Sequence, residues 1–77
     1  MESVTRVIPR DDFTLELWFD TGDHRMFDVR PYLNRGVFTR LQDPALFRQA
    51  FVALDTVCWP GNIDIAPETL FDRSRPA

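Results

Sequence analysis

Residues 13–29 read FTLELWFDTGDHRMFDV, and this stretch decides the fold of the chain. Apolar and polar residues alternate on both sides of a polar centre, which is the pattern of two strands joined by a tight turn. A three-residue loop over 20–22, with Gly22 in a left-handed conformation, matches the apolar side chains across the hairpin. A two-residue loop would set Glu16 against Phe27 instead, because a slip of one residue moves every side chain to the other face. We therefore predict one inner face that carries Phe13, Leu15, Phe27 and Val29.

The same register gives the hairpin an outer face, which carries Glu16, Trp18, His24 and Met26. This set is too apolar to be fully solvated and too charged to form an ordinary core. Two explanations follow. Either the C-terminal half of the chain folds over this face, or the face is a homodimer or partner contact centred on Trp18 and Met26. The sequence leaves both open.

The rest of the N-terminal half predicts one more strand and two short helical segments. Ser3–Ile8 is rich in β-branched residues and indicates a strand that completes a three-stranded antiparallel meander. Residues 31–35 begin with a proline, which predicts a single helical turn there. Asp43 can cap a helix whose first position is a proline, so a short helix is expected over 44–49.

The C-terminal half predicts strands and a final helical turn. Residues 51–54 and 57–59 indicate a strand pair joined by a turn at Asp55 and Thr56, and 63–65 indicates a further short strand. A last helical turn is expected over 67–71. Together, residues 1–77 predict a single α+β domain with a small antiparallel sheet, built from the N-terminal meander and C-terminal strands, and short helices. Residues 1–72 form its ordered core, and 73–77 are expected to fray.

Composition narrows the classes of function. The only cysteine, Cys58, excludes an intramolecular disulfide and agrees with a reducing compartment. No apolar run is long enough to cross a bilayer, and the N-terminus lacks the layout of a secretory signal, so we expect a cytoplasmic protein. The net charge is −3 and the nine basic residues, all arginine, are scattered along the chain. Direct binding of nucleic acid is therefore disfavoured. The fold could still bring four arginines together on one side of the domain: Arg6, Arg25, Arg30 and Arg35.

The sequence contains no pattern that predicts catalysis, a metal site or a cofactor. His24 is expected at the surface and Cys58 as a buried, inert thiol. One histidine and one cysteine cannot make a structural zinc site. Acidic residues in the turns are explained by bonds to nearby backbone groups. Asp28 and Asp64 either fix local backbone geometry in this way or mark an edge that faces a partner or ligand.

Four segments carry a family resemblance. They are RMFDVRP (25–31), GVF (36–38), LQDPALF (41–47) and WPGNIDIAPETLF (59–71). In order and spacing they resemble the bacterial domain-of-unknown-function family 2442. The family has Asn-Gly after its Trp-Pro pair, whereas this chain has Gly61-Asn62, so the turn here can differ in type.

The resemblance implies a small α+β domain without established catalytic residues. Family members often lie beside a second small family in a toxin–antitoxin-like gene arrangement, and some are fused to a helix-turn-helix domain that is absent here. We therefore expect a non-enzymatic accessory domain that binds another small protein or itself. The alternative is a small-molecule-sensing module of a transcription-regulatory system, which needs a pocket near Trp59 and Asp64. The candidate partner or ligand surface comprises Trp18, Met26, Trp59 and Asp64.

Overall fold

Two antiparallel sheets and four short helical segments form the part of the chain described by the computed structural model, residues 2–77. The strands are β1 (Val4–Pro9), β2 (Thr14–Phe19), β3 (His24–Asp28), β4 (Phe51–Ala53), β5 (Thr56–Trp59), β6 (Ile63–Ile65) and β7 (Arg75–Pro76). The first sheet has the order β1-β2-β3-β7 and the second β4-β5-β6. This is the predicted α+β class, with the meander and most of the C-terminal strands placed in separate sheets.

The register of the β2–β3 hairpin is the predicted one. Leu15 lies opposite Phe27, and the amide of Phe19 donates to the carbonyl of Asp23 at 2.9 Å, which closes a three-residue loop. Gly22 has a φ of +88°, so the loop needs a residue without a Cβ there. Leu15, Phe27 and Val29 are fully buried in the core as expected, and Phe13 is partly buried and packs against it.

The first strand adds residues to both faces of this sheet. A register shift between Val4 and Arg6 marks a bulge in β1, after which Arg6 pairs with Trp18 and Ile8 pairs with Glu16. The outer face of the first sheet therefore spans three strands. At the start of β1, the amide of Val4 donates to the carbonyl of Asp55 at 2.9 Å and links the two sheets.

The core lies between the inner faces of the two sheets and the helical segments. Its fully buried side chains come from every part of the chain, and the largest are Trp59, Phe27, Phe47, Leu15, Leu17, Leu41, Ile63 and Leu70. The indole N–H of Trp59 donates to the carbonyl of Phe47 at 3.0 Å, so the largest core side chain is hydrogen-bonded as well as packed.

The helical segments agree in part with the prediction. A first 3-10 helix covers Arg30–Tyr32, and a second, Gly36–Gln42, was not predicted. Helix α1 (Pro44–Phe47) begins as expected, because a carboxylate oxygen of Asp43 accepts the amide of Ala45 at 3.0 Å, but it ends two residues earlier. Helix α2 (Pro67–Asp72) forms at the predicted place. No helix within residues 2–77 has the length and apolar character needed to span a membrane.

The β4–β5 hairpin forms one residue away from the predicted turn. Leu54 and Asp55 occupy the turn, with φ values of +53° and +66°, whereas we expected Asp55 and Thr56. Two left-handed residues in succession are what a type I′ turn requires. In the resulting register, Phe51, Cys58 and Asp64 share the outer face of the second sheet, and the inner face carries Val57, Trp59, Ile63 and Ile65.

The expectation that residues 73–77 fray is corrected by the structure. Strand β7 pairs with β3, and the amide of Ala77 donates to the carbonyl of His24 at 3.0 Å. The guanidinium of Arg25 holds the segment, because it donates to the side chain of Ser74 and, at 2.8 Å, to the Ser74 carbonyl. The same guanidinium lies 4.8 Å from the ring centre of Phe71. Pairing across the fold thus orders a segment with little local preference for a strand.

Candidate functional site

The four candidate surface residues do not form one surface. Trp18 and Met26 lie half-buried on the outer face of the first sheet, whereas Trp59 and Asp64 belong to the second sheet. Trp59 is only 1% exposed, so the expectation of a surface tryptophan there is corrected. Its side chain points to the same face as Val57, which is the inner face of the sheet.

The outer face of the first sheet is organised by its own side chains. The indole of Trp18 lies between the guanidinium of Arg6, 4.7 Å from the ring centre, and the ring of His24, stacked at 4.6 Å. Nε2 of His24 is 2.6 Å from Oε2 of Glu16, and Oε1 of Glu16 accepts a hydrogen bond from Arg10. The hydrogen bond with His24, followed by that from Arg10, lowers the pKa of Glu16.

Strand β7 reaches this face, where Arg75 lies opposite Met26, but the other C-terminal strands do not cover it, so the first explanation for its composition is wrong for them. Strands β5 and β6 pack their apolar side chains against the inner side of the first sheet, in the same core as Leu15 and Phe27. Strand β7 extends the sheet at the edge of β3. A contact with a partner, centred on Trp18 and Met26, stays a prediction.

A cleft of about 400 Å³ lies on the outer side of the second sheet. We call it the hairpin cleft; its walls include Phe51, Leu54, Cys58, Pro60, Asn62 and Asp64, together with part of Trp59. Two of the four candidate residues therefore do line a common concavity, as the small-molecule alternative requires. The walls are mostly apolar, with one carboxylate.

The most exposed apolar side chains of the chain border this cleft. Four large apolar residues are exposed among those described. Phe51 and Leu54 line the cleft, whereas Val52 lies opposite Val57 and points to the other face of β4. Leu54 is 90% exposed and Phe51 is 45% exposed. Sequence reasoning missed Leu54, although an apolar residue within a turn between two strands was a usable signal.

Leu54 is also held in an unfavourable backbone conformation. Its φ of +53° is a left-handed value, which brings Cβ close to the following carbonyl oxygen and is favoured by glycine, asparagine and aspartate. Its side chain gains almost no burial in return. Neither local preference nor packing explains a leucine at this position, and such positions are often functional.

Cys58 lies on a wall of the hairpin cleft and is half-buried, where we expected a buried thiol. Burial, and then the nearby charge of Asp64, raise the pKa of the Cys58 thiol. The thiol is therefore protonated at neutral pH and is a poor nucleophile. His24 lies on the other sheet, so the fold does not bring the histidine and cysteine together. Within residues 2–77, no three potential ligands are grouped to hold a metal ion.

The acidic turn residues mainly bond to nearby groups, as predicted. Asp28 accepts the backbone amide of Arg30 at 3.0 Å and two guanidinium N–H groups of the same residue, which lower the pKa of Asp28. Asp12 accepts both the amide and the hydroxyl of Thr14. Asp28 thus fixes local geometry, whereas Asp64 is exposed on the rim of the hairpin cleft.

Comparison with known families agrees with the resemblance found in the sequence. A family model described as "Protein of unknown function (DUF2442)" matches residues 4–76. The chain belongs to this family. The match spans all the strands and helices given above, including β7. No curated protein and no solved structure matches the chain.

Proposed function

We propose that this chain is a non-enzymatic, cytoplasmic accessory domain that binds another protein through β4 and the hairpin cleft. The observation that carries the proposal is the exposure of Leu54 in a strained turn, beside the exposed Phe51 on the same cleft. Contiguous exposed apolar side chains mark interaction surfaces, and a residue that fits neither its backbone conformation nor the core is best explained by a contact outside the chain.

Strand β4 suits the addition of a further strand. It is an edge strand of the second sheet, and no proline or charged residue within it blocks pairing. Because β4 and β5 are joined by a two-residue turn, Ala53 and Thr56 form the hydrogen-bonded pair beside it, and Val52 directs its amide and carbonyl away from β5. Strand β1 lies beside β4, so an extended partner segment pairs with those of these groups that β1 leaves accessible.

The charges around the cleft specify the chemistry of the partner. Asp64 is exposed on its rim, Asp55 is exposed in the turn that follows Leu54, and the guanidinium of Arg40 lies beside Gly61 at one end. The whole chain carries a net charge of −3. We therefore propose a partner with an extended apolar segment flanked by basic residues. A toxin-like protein encoded beside this chain, which the family resemblance implies, is the first candidate.

The experiment compares two surface variants in a binding assay. Leu54→Asn removes the exposed leucine and suits the turn, whereas Val37→Asn removes the other large exposed apolar residue, which lies outside the cleft. The neighbouring gene product should be retained by the wild-type chain and by Val37→Asn but lost with Leu54→Asn. Equal retention by all three chains would exclude this surface as the interface. Sedimentation equilibrium on each chain identifies self-association, which would make a second copy the occupant.

The hairpin cleft also supports the alternative of a small-molecule sensor. Its volume of about 400 Å³ lies within the range of ligand pockets. A ligand screen by thermal shift tests this alternative. A ligand that stabilises the wild-type chain and protects Cys58 from alkylation would favour it over the binding of a protein segment.

A further inference from the structure

Four of the nine arginines surround the end of β3, although they are scattered in the sequence. Asp28 lies on the wall of two neighbouring cavities, of about 470 Å³ and about 290 Å³. Arg35 and Arg73 line the larger cavity, and Arg30 and Arg75 line the smaller one. We call the larger cavity the arginine cleft; its polar side chains are Asp28, Tyr32, Arg35, Thr69 and Arg73.

The arginine cleft has an excess of positive charge. Asp28 is neutralised by Arg30, which it binds through two guanidinium N–H groups. Within residues 2–77, neither Arg35 nor Arg73 has a carboxylate oxygen within 4.0 Å of its guanidinium. Two cationic groups therefore face a cavity whose one carboxylate, that of Asp28, is already paired with Arg30, in a chain whose net charge is negative. An anionic ligand would supply the missing charge.

Both arginines are positioned by other contacts. The guanidinium of Arg35 lies 5.6 Å from the ring centre of Tyr32, which limits its orientations. Arg73 ends helix α2, where its amide donates to the carbonyl of Thr69 at 3.0 Å, and the next residue is fixed by Arg25. The guanidinium of Arg35 and the backbone of Arg73 are thus held before a ligand arrives, which reduces the entropy lost on binding.

We propose that the arginine cleft binds the phosphate group of a small molecule between Arg35, Arg73 and the hydroxyl of Thr69. Guanidinium groups bind tetrahedral oxyanions through paired N–H donors, and a hydroxyl supplies a further donor. A cavity of about 470 Å³ holds more than the phosphate group, so the rest of the ligand lies along Pro31. This site shares no residue with the hairpin cleft and does not depend on the proposed function.

The test is a titration followed by NMR at constant ionic strength, with inorganic phosphate, phenyl phosphate and benzoate as probes. Phenyl phosphate should shift the Nε–H signals of Arg35 and Arg73 saturably, with a dissociation constant of about 1 mM or below. Inorganic phosphate should bind at the same signals more weakly. Benzoate distinguishes a carboxylate from a phosphate: binding as tight as that of phenyl phosphate would overturn the assignment to phosphate.

Arg73→Gln and Arg48→Gln form a matched pair of variants. Each arginine ends a short α-helix and is exposed, but Arg48 does not line the arginine cleft. Arg73→Gln should weaken the binding of phenyl phosphate about tenfold, through loss of a charge-assisted hydrogen bond, and Arg48→Gln should leave it unchanged. Arg35→Gln provides a second variant should Arg73→Gln unfold the chain. Equal weakening by Arg48→Gln, or no saturable shift in the wild-type chain, would refute the proposal.

Discussion

Replacing Leu54 by asparagine should stabilise the domain, although it removes a large apolar side chain. Leu54 has a φ of +53° at the first position of a two-residue turn, and it is 90% exposed. The left-handed conformation costs a residue other than glycine, asparagine or aspartate about 1–2 kcal/mol. Asparagine relieves part of this strain, because its short polar side chain tolerates the conformation.

The change in the free energy of unfolding combines the apolar burial that is lost with the backbone strain that is relieved. Almost no apolar area is lost from the core, since the leucine side chain lies in solvent. Relief of strain should then dominate, and we expect a gain of about 0.5–1 kcal/mol in the free energy of unfolding. For a domain of this size, such a gain raises Tm by about 2–8 °C.

Urea and thermal unfolding, followed by far-UV circular dichroism, measure the effect. Val37→Asn is the control, because Val37 is 40% exposed and has no positive φ, and its stability should stay within about 0.5 kcal/mol of the wild-type value. A loss of stability in Leu54→Asn would refute the reasoning, since it would mean that the leucine packs within the chain. A gain in stability together with lost binding would show that the leucine serves the partner contact.

Three further predictions concern the core and the titratable groups. Trp59→Phe should lower the free energy of unfolding by about 1–3 kcal/mol in urea titrations, since it removes the indole bond to the carbonyl of Phe47 and part of the buried volume. The pKa of Glu16 is lowered from 4.5, so its contribution to stability is present above that pH and is lost as the pH falls below it. Glu16→Gln should therefore make the urea midpoint less dependent on pH in the acidic range; an unchanged slope would contradict the pairing described. The pKa of Cys58 is raised above 9.0, so alkylation by iodoacetamide should be slow at pH 7 and faster at higher pH, and Asp64→Asn should lower the pH of the half-maximal rate.

The hairpin and the helix start could be predicted because local chemistry decides them. The alternation around Gly22 permits only one register that keeps the apolar side chains on one face, and Asp43 offers a carboxylate to the first turn of α1. In these places, the conformational preference of the residues, the alternation of apolar side chains and the packing of the core all favour the same structure. The same alternation in Val57 and Trp59 could have shown that Trp59 points to the core.

The missed features depend on contacts that are distant in sequence or contrary to local preference. Residues 73–77 have little preference for a strand, and their order comes from β3 and Arg25. The turn at Leu54 and Asp55 was misplaced because leucine is disfavoured in a left-handed conformation. The arginine cleft draws its charges from separate segments, so no motif in the sequence could indicate it. The division of the strands into two sheets likewise depends on long-range packing.

The pairing of β7 with β3 bears on how the domain folds. The other strand pairs join neighbours along the chain and close over short loops, whereas Arg25 and Ser74 are 49 residues apart. Closing so long a loop has a larger entropic cost, and contacts of this kind form late in folding. We expect the meander and the second sheet to nucleate first, with the C-terminal segment docking last. The arginine cleft is then completed only in that final step, and partial unfolding of the C-terminus removes it while leaving the hairpin cleft intact.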